Sequence, residues 1–433
     1  MALFKECVIG ISGMDDTVSP RKAAIAARAF GNGFLVEDAA LIGIIDTDAL
    51  RAAIDDLRSS FPNFFQHAFA AKANTMPPML ALIRSLGMSC EVASPGEYKA
   101  AVAAGFSGAE IVFDSPAKTN WEIDAALSHG ATLNIDNFQE LARVDAWLAK
   151  NKSRSIVGLR INPQVGGGRI AAMSTATQSS KFGIGLEDGD NRQLIMNAYV
   201  SRPWLTCLHT HVGSQGCPLD LIVAGIAKTF ALAHEINETL GRKQITTLDI
   251  GGGLPVNFES DLATPSFADY VAALRAGVPG LFSGEFRIVT EFGRSVLAKA
   301  GFMLARVEYT KEQGGHPIAI THAGAQVATR TVFMPEMWKI RVSALDSQAR
   351  PKLGPRVAQD VAGPCCFAGD VVAHARPLPL LEPGDFVMLH DTAAYYFSTP
   401  FVYNSLPAIT VYGVSGPDQD LSFTVMQQEH ALT

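Results

Sequence analysis

The segment FAAKANTMPPMLALIRSLGMSCEVASPGEYKAAVAA, residues 69–104, contains the pattern on which the fold depends. It holds two short apolar runs, Phe69–Ala73 and Ser89–Val92, and an Ala-rich amphipathic stretch, Gly96–Ala104, follows the second run. Short apolar runs of this length are typical of buried strands. Strands that alternate with helical stretches predict a parallel sheet.

The same alternation continues along the chain as far as Gly293. The further candidate strands are Glu110–Phe113, Thr132–Ile135, Ile156–Ile161, Leu205–Val212, Thr246–Ile250 and Phe286–Glu291, and a second helical stretch is Pro218–Leu240. Eight strand–helix repeats over this length favour an α/β protein with a (β/α)8 TIM-like barrel over an open doubly wound sheet.

After about Gly301 the pattern changes to strands with little helix between them. These strands are Phe302–Tyr309, Pro317–Thr321, Asp370–Ala373 and Phe386–Asp391. We therefore predict a barrel domain over residues 34–295 and a mostly β C-terminal domain over residues 296–433. Residues 1–33 are too few to fold alone, and we expect them to join the β domain.

The composition is that of an ordinary globular protein. The chain has 433 residues, of which 48% are hydrophobic and 18% are charged, and its formal net charge is −7. An acidic balance without a long basic run speaks against a nucleic-acid partner. The N-terminus lacks a long apolar region, and no run of about 18 apolar residues occurs, so we expect neither secretion nor a membrane span. The cytoplasm is the expected compartment.

The cysteines show none of the spacings that indicate a zinc site or a disulfide scaffold. They are Cys7, Cys90, Cys207, Cys217, Cys365 and Cys366. We therefore predict no metal site.

Polar side chains and glycines follow the predicted barrel strands at their C-terminal ends, where barrel enzymes carry their chemistry. They are Lys72, Glu91, Asp136, Arg160, Asn162, His209, His211, Gly251–Gly253, Glu291 and Arg294. Each one alone is equally well explained as a solvated loop residue. Their joint occurrence predicts a ligand site at this end of the barrel.

The residue types fit a phosphorylated, electron-withdrawing cofactor. Lys72 follows an apolar strand, which would partly desolvate its amine, lower its pKa and favour imine formation. The Gly251–Gly253 run offers backbone N–H groups to a phosphate, although a tight turn explains it equally well. Glu291 suits a protonated ring nitrogen and His211 suits a flat ring; an ion pair with Arg294 and a structural histidine are the alternatives.

The chain resembles the fold-type III pyridoxal-phosphate decarboxylases, the group that contains diaminopimelate, ornithine and arginine decarboxylases. The resemblance is carried, in family order, by FAAKAN from Phe69, CEVASPGE from Cys90, SKFGI from Ser180, HTHVGSQ from His209, DIGGGLP from Asp249, EFGRS from Glu291, GPCCFAGD from Gly363 and DTAAYYFS from Asp391. The HVGSQ and GP-C--GD forms are most similar to diaminopimelate decarboxylase.

For the cofactor, the resemblance implies pyridoxal 5'-phosphate. It implies a catalytic Lys72 that forms the internal aldimine, and amino-acid decarboxylation through a quinonoid intermediate. It also implies that His211 stacks on the ring and that Glu291 pairs with its nitrogen. The residues that the resemblance assigns to the phosphate are Ser214, Gly252, Gly253, Gly293 and Arg294.

For the substrate, the resemblance implies that Arg294 and Arg330 bind a carboxylate and that Tyr395 contacts both cofactor and substrate. It implies a homodimer with active sites at the interface, in which Cys366 is a catalytic residue that reaches the partner's site. Motif alignment favours Cys366 over Cys365, and the sequence leaves both open.

Two of the expected substrate-binding positions depart from the diaminopimelate decarboxylases. Phe367 stands where those enzymes have a Glu that grips the distal end of the substrate, and Met334 stands where they usually have a Tyr. ITHAGAQ, at 320–326, also replaces a DGG-like sequence. Loss of polar partners weakens selection for the groups that they served. A second hypothesis is therefore another diamino acid, such as ornithine or lysine, or a diamino-acid conjugate of a specialised pathway such as siderophore biosynthesis.

Two further classes share the resemblance. Alanine racemases have the same barrel and lysine, but they usually place an Arg at the ring nitrogen, so Glu291 favours decarboxylation. Non-catalytic regulators related to ornithine decarboxylase tend to lose cofactor contacts, whereas Lys72, His211 and Glu291 are present here.

Overall fold

A computed structural model of the chain describes residues 14–36 and 39–430. Cys7 and the first part of the predicted N-terminal segment lie outside these residues. The chain forms two compact units. The barrel unit comprises Ala52–Val256 and Thr264–Val296, and the sheet unit comprises the described residues up to Arg51, Asn257–Ala263 and the described residues from Leu297 onward. The domain bounds predicted from the sequence stay a prediction.

The barrel unit contains a closed ring of eight parallel strands, which confirms the predicted barrel. Around the ring these are Phe65–Ala70, Ser89–Val92, Ile111–Phe113, Thr132–Ile135, Val157–Asn162, Leu205–His209, Thr247–Asp249 and Arg287–Phe292. Thr132–Ile135 pairs with Val157–Asn162, and Arg287–Phe292 pairs with Phe65–Ala70, so the ring has no open edge. A two-residue strand, Ile184–Gly185, pairs with Val157–Asn162 outside the ring.

Helices alternate with the barrel strands along the chain. The α-helices are Thr47–Ser60, Pro77–Ser85, Pro95–Ala103, Asn120–His129, Phe138–Leu148, Asn191–Ser201, Leu219–Leu240, Phe267–Gly277 and Arg294–Leu297. Short 3₁₀ turns cover Ala71–Ala73, Gly108–Glu110, Ala171–Met173, Pro279–Phe282 and Ala298–Ala300. Several helices begin at a side-chain cap; Ser94, for example, accepts a hydrogen bond from the Glu97 N–H at 3.1 Å.

The first barrel strand differs from its prediction. It covers Phe65–Ala70 and ends before Lys72, which lies in a 3₁₀ turn, whereas the sequence predicts Phe69–Ala73. Gln66 and His67 interrupt the apolar run and conceal the strand. Both are paired inside the fold, Gln66 with Ser89 at 2.5 Å and His67 with Thr290 at 2.8 Å.

The sheet unit is mostly β, as predicted. Within the described residues its strands are Leu41–Asp46, Gly301–Gln313, His316–Thr321, Val342–Leu345, Arg356–Ala362, Val371–Pro379, Phe386–His390, Thr410–Ser415 and Ser422–Gln427. Its α-helices are Pro20–Gly31 and Ala325–Phe333. Leu41–Asp46 lies centrally, antiparallel to Gly301–Gln313 and parallel to Thr410–Ser415.

The N-terminal helix is part of the core of the sheet unit. Its buried face, Ile25, Ala26 and Ala29, packs in one apolar cluster with Ile42 and Phe302 of the sheet. Burial of such side chains is the main favourable term in folding. In the described part of the chain, none of the helices has both the length and the apolar character needed to cross a membrane.

Gly158 gives a direct test of how tightly the barrel strands approach each other. A Cβ atom at Gly158 would lie 2.6 Å from the Cys207 carbonyl oxygen on the neighbouring strand. We expect Gly158→Ala to lower the free energy of unfolding by about 1–3 kcal/mol, measured by urea denaturation. Gly96→Ala is the matched control. Gly96 lies in a helix, and a Cβ added there would come no closer than 3.8 Å to a neighbouring atom, Ser94 Oγ. The control should gain about 0.4–1 kcal/mol, and equal stabilities of the two variants would contradict the packing.

Candidate active site

The polar residues predicted at the strand ends do lie at one end of the barrel. Neighbouring strands pair Ala70 with Glu91, Arg160 with His209, and His209 with Asp249. Because parallel strands present their C-terminal ends at the same edge, these registers place the groups around one rim.

Lys72 lies in the turn after the first strand. Its Nζ donates to Glu91 Oε2 at 3.1 Å, and its side chain is 42% exposed, whereas that of Glu91 is fully buried. The expected desolvation of the amine is therefore only partial, and a buried carboxylate pairs with it. Burial raises the pKa of Glu91 to about 8, although the charge of Lys72 opposes this shift. Glu91 can thus exchange a proton near neutral pH.

Glu291 is buried beside a histidine. His209 Nε2 lies 3.7 Å from Glu291 Oε2, and His209 Nδ1 lies 3.6 Å from Asp114 Oδ1. Asp114 in turn pairs with Arg160 at 2.9 Å. Among the described residues, neither carboxylate oxygen of Glu291 has a partner within hydrogen-bond distance.

The charges of these neighbouring side chains set their protonation states. Burial opposes protonation of His209, but Asp114, Asp249 and Glu291 raise its pKa to about 9. Burial likewise raises the pKa of Glu291, but the charge of His209 outweighs this effect and holds the pKa below its usual value. At neutral pH, His209 is therefore an imidazolium and Glu291 a carboxylate.

His211 lies just beyond the end of its strand, whereas the sequence predicts that the strand includes it. The Gly252 N–H donates to His211 Nδ1 at 3.2 Å, so this ring nitrogen is an acceptor. Burial and the charges of Lys72 and Arg160 lower the pKa of His211 to about 3. The ring is therefore neutral and its orientation is fixed.

The glycine run is required by close backbone packing. A Cβ at Gly252 would lie 1.9 Å from the Glu291 carbonyl oxygen, and one at Gly253 would lie 2.1 Å from that of Gly213. Gly251 and Gly253 also have positive φ angles of 65° and 102°. The tight turn that the sequence left as an alternative is thus present.

The remaining phosphate-assigned residues lie in the same unit. The Ser214 N–H donates to the Met173 carbonyl at 3.0 Å, which ties this segment to the preceding loop. A Cβ at Gly293 would lie 3.0 Å from the Ala73 Cβ, so the glycine allows close approach to the turn that carries Lys72. Arg294 begins a short helix and is buried.

Apart from Arg294, the residues predicted to bind substrate lie in the sheet unit. The Arg330 guanidinium lies 4.7 Å from the ring centre of Tyr395 and 5.1 Å from that of Trp338. Its Nη1 is buried and has no hydrogen-bond partner among the described residues. Tyr395 has a φ of 66°, a left-handed conformation that is costly for an aromatic residue. Such strain is frequent at functional sites.

Cys365 and Cys366 have different environments. Cys365 is buried with its Sγ 3.7 Å from Gln326 Oε1, whereas Cys366 is exposed. Burial and the nearby Asp370 raise the pKa of Cys365 to about 11. Cys366 is therefore the more accessible thiol of the pair.

Asp370 holds the loop that carries both cysteines. Its Oδ2 accepts from the Cys365 N–H and its Oδ1 from the Ala325 N–H, each at 2.6 Å. Ala325 begins the helix that carries Arg330. The buried carboxylate thus links two segments that carry predicted site residues.

Phe367 lies in a cluster of four aromatic rings. It stacks on Phe333 with ring centres 5.5 Å apart and meets Tyr403 edge-on at 5.3 Å, and Phe401 contacts Phe333 and Tyr403. Phe333 is 53% exposed and Met334, beside it in the chain, 37%. Phe367 is therefore held in place by its neighbours. We call the four rings of Phe333, Phe367, Phe401 and Tyr403 the aromatic patch.

Several of these residues were not predicted from the sequence. Asp114 directly follows the third barrel strand, so the strand-end rule could have found it. Asp370 lies inside a recognised motif but received no role. The partners of Phe367 come from separate segments, at 333 and 401–403, and only the fold brings them together.

The groups in the barrel fit pyridoxal phosphate. The two partnerless oxygens of buried Glu291 are what a ring N–H would satisfy. Lys72 supplies an amine at the same rim, and the neutral imidazole of His211 supplies a flat surface.

Comparisons with known proteins agree with this geometry. The profile of the pyridoxal-dependent decarboxylase family, pyridoxal binding domain, matches residues 47–298. A diaminopimelate decarboxylase of Pseudomonas aeruginosa is 31% identical over 340 residues, 78% of each chain. One of Bacteroides thetaiotaomicron is 29% identical over 81% of this chain and 89% of its own.

A solved structure is similar over nearly the whole chain. The diaminopimelate decarboxylase of Helicobacter pylori complexed with L-lysine has a TM-score of 0.80 and 25% identity, over 93% of this chain and 97% of that one. The predicted family, cofactor and enzyme class are thereby confirmed. The chain belongs to the pyridoxal-dependent decarboxylases and is a pyridoxal-phosphate-dependent amino-acid carboxy-lyase similar to diaminopimelate decarboxylase.

Proposed function

We propose that Lys72 binds pyridoxal phosphate covalently and that the barrel rim orients the cofactor for decarboxylation of an amino acid. The observation that carries this proposal is the buried Glu291, whose oxygens lack hydrogen-bond partners among the described residues. When bound, the cofactor supplies an electron-withdrawing ring that accepts the electron pair released as CO2 leaves. Glu291 holds the proton on the ring nitrogen, because an ionised carboxylate there favours the protonated ring.

The other rim residues position the cofactor. His211 presents the face of a neutral imidazole to the ring, with its orientation fixed by the Gly252 N–H. Ser214, Gly252, Gly253, Gly293 and Arg294 hold the phosphate. The glycines bring backbone N–H groups close to it, and Arg294 supplies charge.

Lys72 and Glu91 handle the proton that accompanies attachment and release of the amine. Nζ must lose a proton to become a nucleophile. Glu91 lies 3.1 Å away, and its pKa of about 8 leaves a fraction ionised near neutral pH that can accept that proton and return it.

Lys72→Ala should abolish covalent attachment of the cofactor. After incubation with pyridoxal phosphate and borohydride reduction, peptide mass spectrometry should find the modification on Lys72 in the wild type and none at this site in the variant. Lys99→Ala, which removes an exposed lysine, is the matched control and should label like the wild type. Stoichiometric labelling of a different lysine in the wild type would refute the assignment.

We further propose that Arg330, Arg294 and Tyr395 bind the substrate. The buried Nη1 of Arg330, without a hydrogen-bond partner among the described residues, supports a carboxylate ligand there. The two aromatic rings that flank the guanidinium would hold it in one orientation.

We assign protonation of the product Cα to Cys366 and propose a homodimer, in which this thiol serves the partner's site. Exposure of Cys366, together with burial of Cys365, supports the choice between the two cysteines. Exposure of Phe333 in the aromatic patch, which includes Phe367 beside Cys366 in the chain, supports a protein–protein contact there. Action in the cytoplasm stays a prediction.

Cys366→Ala should lower kcat by about 10²–10⁴-fold, the range for loss of a general acid. Cys365→Ala is the matched control and should act mainly on stability, because its buried thiol contacts Gln326. Single-turnover kinetics and urea denaturation separate the two effects. Mixing Lys72→Ala protein with Cys366→Ala protein should restore activity if the two residues serve one site from different subunits. Equal loss of kcat in both cysteine variants would contradict the assignment.

For the substrate, we propose an amino acid whose distal end is not selected by a carboxylate of this enzyme. Phe367 stands where the diaminopimelate decarboxylases have Glu, and its packing against Phe333 and Tyr403 supports an apolar role. Met334 likewise replaces a phenol. Ornithine, lysine and diamino-acid conjugates are the candidate substrates.

A panel of acids tests the substrate proposal. CO2 release by the cofactor-loaded enzyme should show a lower kcat/KM for meso-diaminopimelate than for at least one of ornithine, lysine or a citrate conjugate of a diamino acid. Phe367→Glu should shift the ratio toward meso-diaminopimelate by about tenfold or more, since one placed polar partner contributes on that order. Preferential turnover of meso-diaminopimelate by the wild type would contradict the proposal, because it would show that the change from Glu to Phe367 does not alter the substrate.

A further inference from the structure

Four side chains of alternating charge form a buried row across the barrel. Arg160 pairs with Asp114 at 2.9 Å, Asp114 lies 3.6 Å from His209 Nδ1, and His209 Nε2 lies 3.7 Å from Glu291. We call these four residues the charge row. All four are at most 5% exposed. The row therefore interacts in a medium where charges act more strongly than in water.

The geometry at His209 dictates its protonation state. Each ring nitrogen faces a carboxylate, Asp114 on one side and Glu291 on the other. A neutral imidazole has one donor and one acceptor nitrogen, so one of the two carboxylates would face a lone pair. With both acids ionised, the imidazolium, which has two N–H groups, suits both neighbours.

The environment of Glu291 makes this charge necessary. Glu291 shares the barrel unit with other buried acids, among them Asp114, Asp249 and Glu91. The positive groups that act on it are His209 and Lys72. Lys72 is the residue that the cofactor would engage, so its charge is not constant through the reaction. His209 is the fixed cation.

We propose that His209 is a positioning residue: a permanently charged imidazolium that keeps Glu291 ionised and directed at the ring nitrogen of the cofactor. The inference rests on the proposed role of Glu291. Asp114 and Arg160 support this role. The Asp114 carboxylate stabilises the imidazolium, and the Arg160 guanidinium compensates the charge of Asp114. None of the three needs to touch the cofactor.

The remaining charged groups near the row support this arrangement. Asp249 lies beside His209 in the strand register and helps to raise the pKa of His209, but burial together with Glu291 raises the pKa of Asp249 itself well above the usual value, so Asp249 carries less negative charge than Asp114. Its Oδ2 accepts from Asn134 at 3.1 Å. His211 is neutral. The charge on Glu291 is thus set chiefly by His209.

His209→Gln removes the charge while keeping a polar side chain of similar length. In the holoprotein loaded with ring-¹⁵N-labelled pyridoxal phosphate, the ¹⁵N chemical shift reports the protonation of the ring nitrogen. We expect its pH-dependent transition to shift upward by about one unit or more, because Glu291 loses its fixed cation. We also expect kcat at pH 7 to fall by about tenfold or more, to recover in part at higher pH, and KM to change far less.

Two further variants complete the design. Asp114→Asn should shift the same transition in the same direction, and the double variant should show less than the sum of the two effects. His234→Gln is the matched control: His234 lies on the surface, 3.6 Å from Glu285, and its loss should leave spectrum and rates unchanged.

A measurement on the wild type tests the charge even if the variants fail to fold. Side-chain ¹⁵N spectra of the histidine-labelled holoprotein should retain one imidazolium at pH 8, and Asp114→Asn should remove it. No charged histidine at pH 8 would overturn the proposal. So would an unchanged spectral transition in folded His209→Gln, or a bound divalent cation whose removal by chelator reproduces the effect of His209→Gln.

Glu291→Gln separates this inference from the proposed function. If Glu291→Gln alters the ¹⁵N shift of the ring nitrogen and kcat while His209→Gln does not, the inference fails and the role of Glu291 stands. If Glu291→Gln leaves both unchanged, the proposed function itself is wrong at this residue.

Discussion

Burial of four carboxylates inside one parallel barrel is the constraint on which the site depends. Glu91, Asp114, Asp249 and Glu291 are all at most 5% exposed. Isolated buried charges are unstable, so each acid must be paired with a cation, hydrogen-bonded or protonated. Lys72, Arg160 and His209 supply the positive charge, and Asp249 is held toward its neutral form. The protonation states of the rim therefore follow from the packing of the strands.

The barrel could be predicted from the sequence because its strands are buried on both faces. Such strands appear as apolar runs. The observed bounds of Ser89–Val92 and Thr132–Ile135 are the same as the predicted ones. The prediction was less accurate at Phe65–Ala70. There, Gln66 and His67 are polar but paired with Ser89 and Thr290, and pairing of that kind cannot be seen in the sequence.

The candidate site was predictable to the extent that its residues follow strands or lie in motifs. Lys72, His211 and Glu291 were identified in this way. The charge row could not be assembled, since the distance from Asp114 to His209 depends on strand order around the ring. The aromatic patch was hidden for a similar reason, as Phe333, Phe367 and Tyr403 come from three separate segments. In the sheet unit, Leu41–Asp46 was missed because its main partners lie about 260 and 370 residues away in the chain.

The two hydrogen bonds of Asp370 have a mechanical consequence. One carboxylate anchors the loop of Cys366 and the first residue of the helix that carries Arg330. Neither Gly324 nor Gly363 has room for a side chain beside the Asp370 carboxylate, so the two segments are closely packed at this point. Any movement of the helix is thereby transmitted to the cysteine loop. The positions of Arg330 and Cys366, for which substrate binding and proton transfer are proposed, are therefore coupled, so a shift of either segment displaces the other.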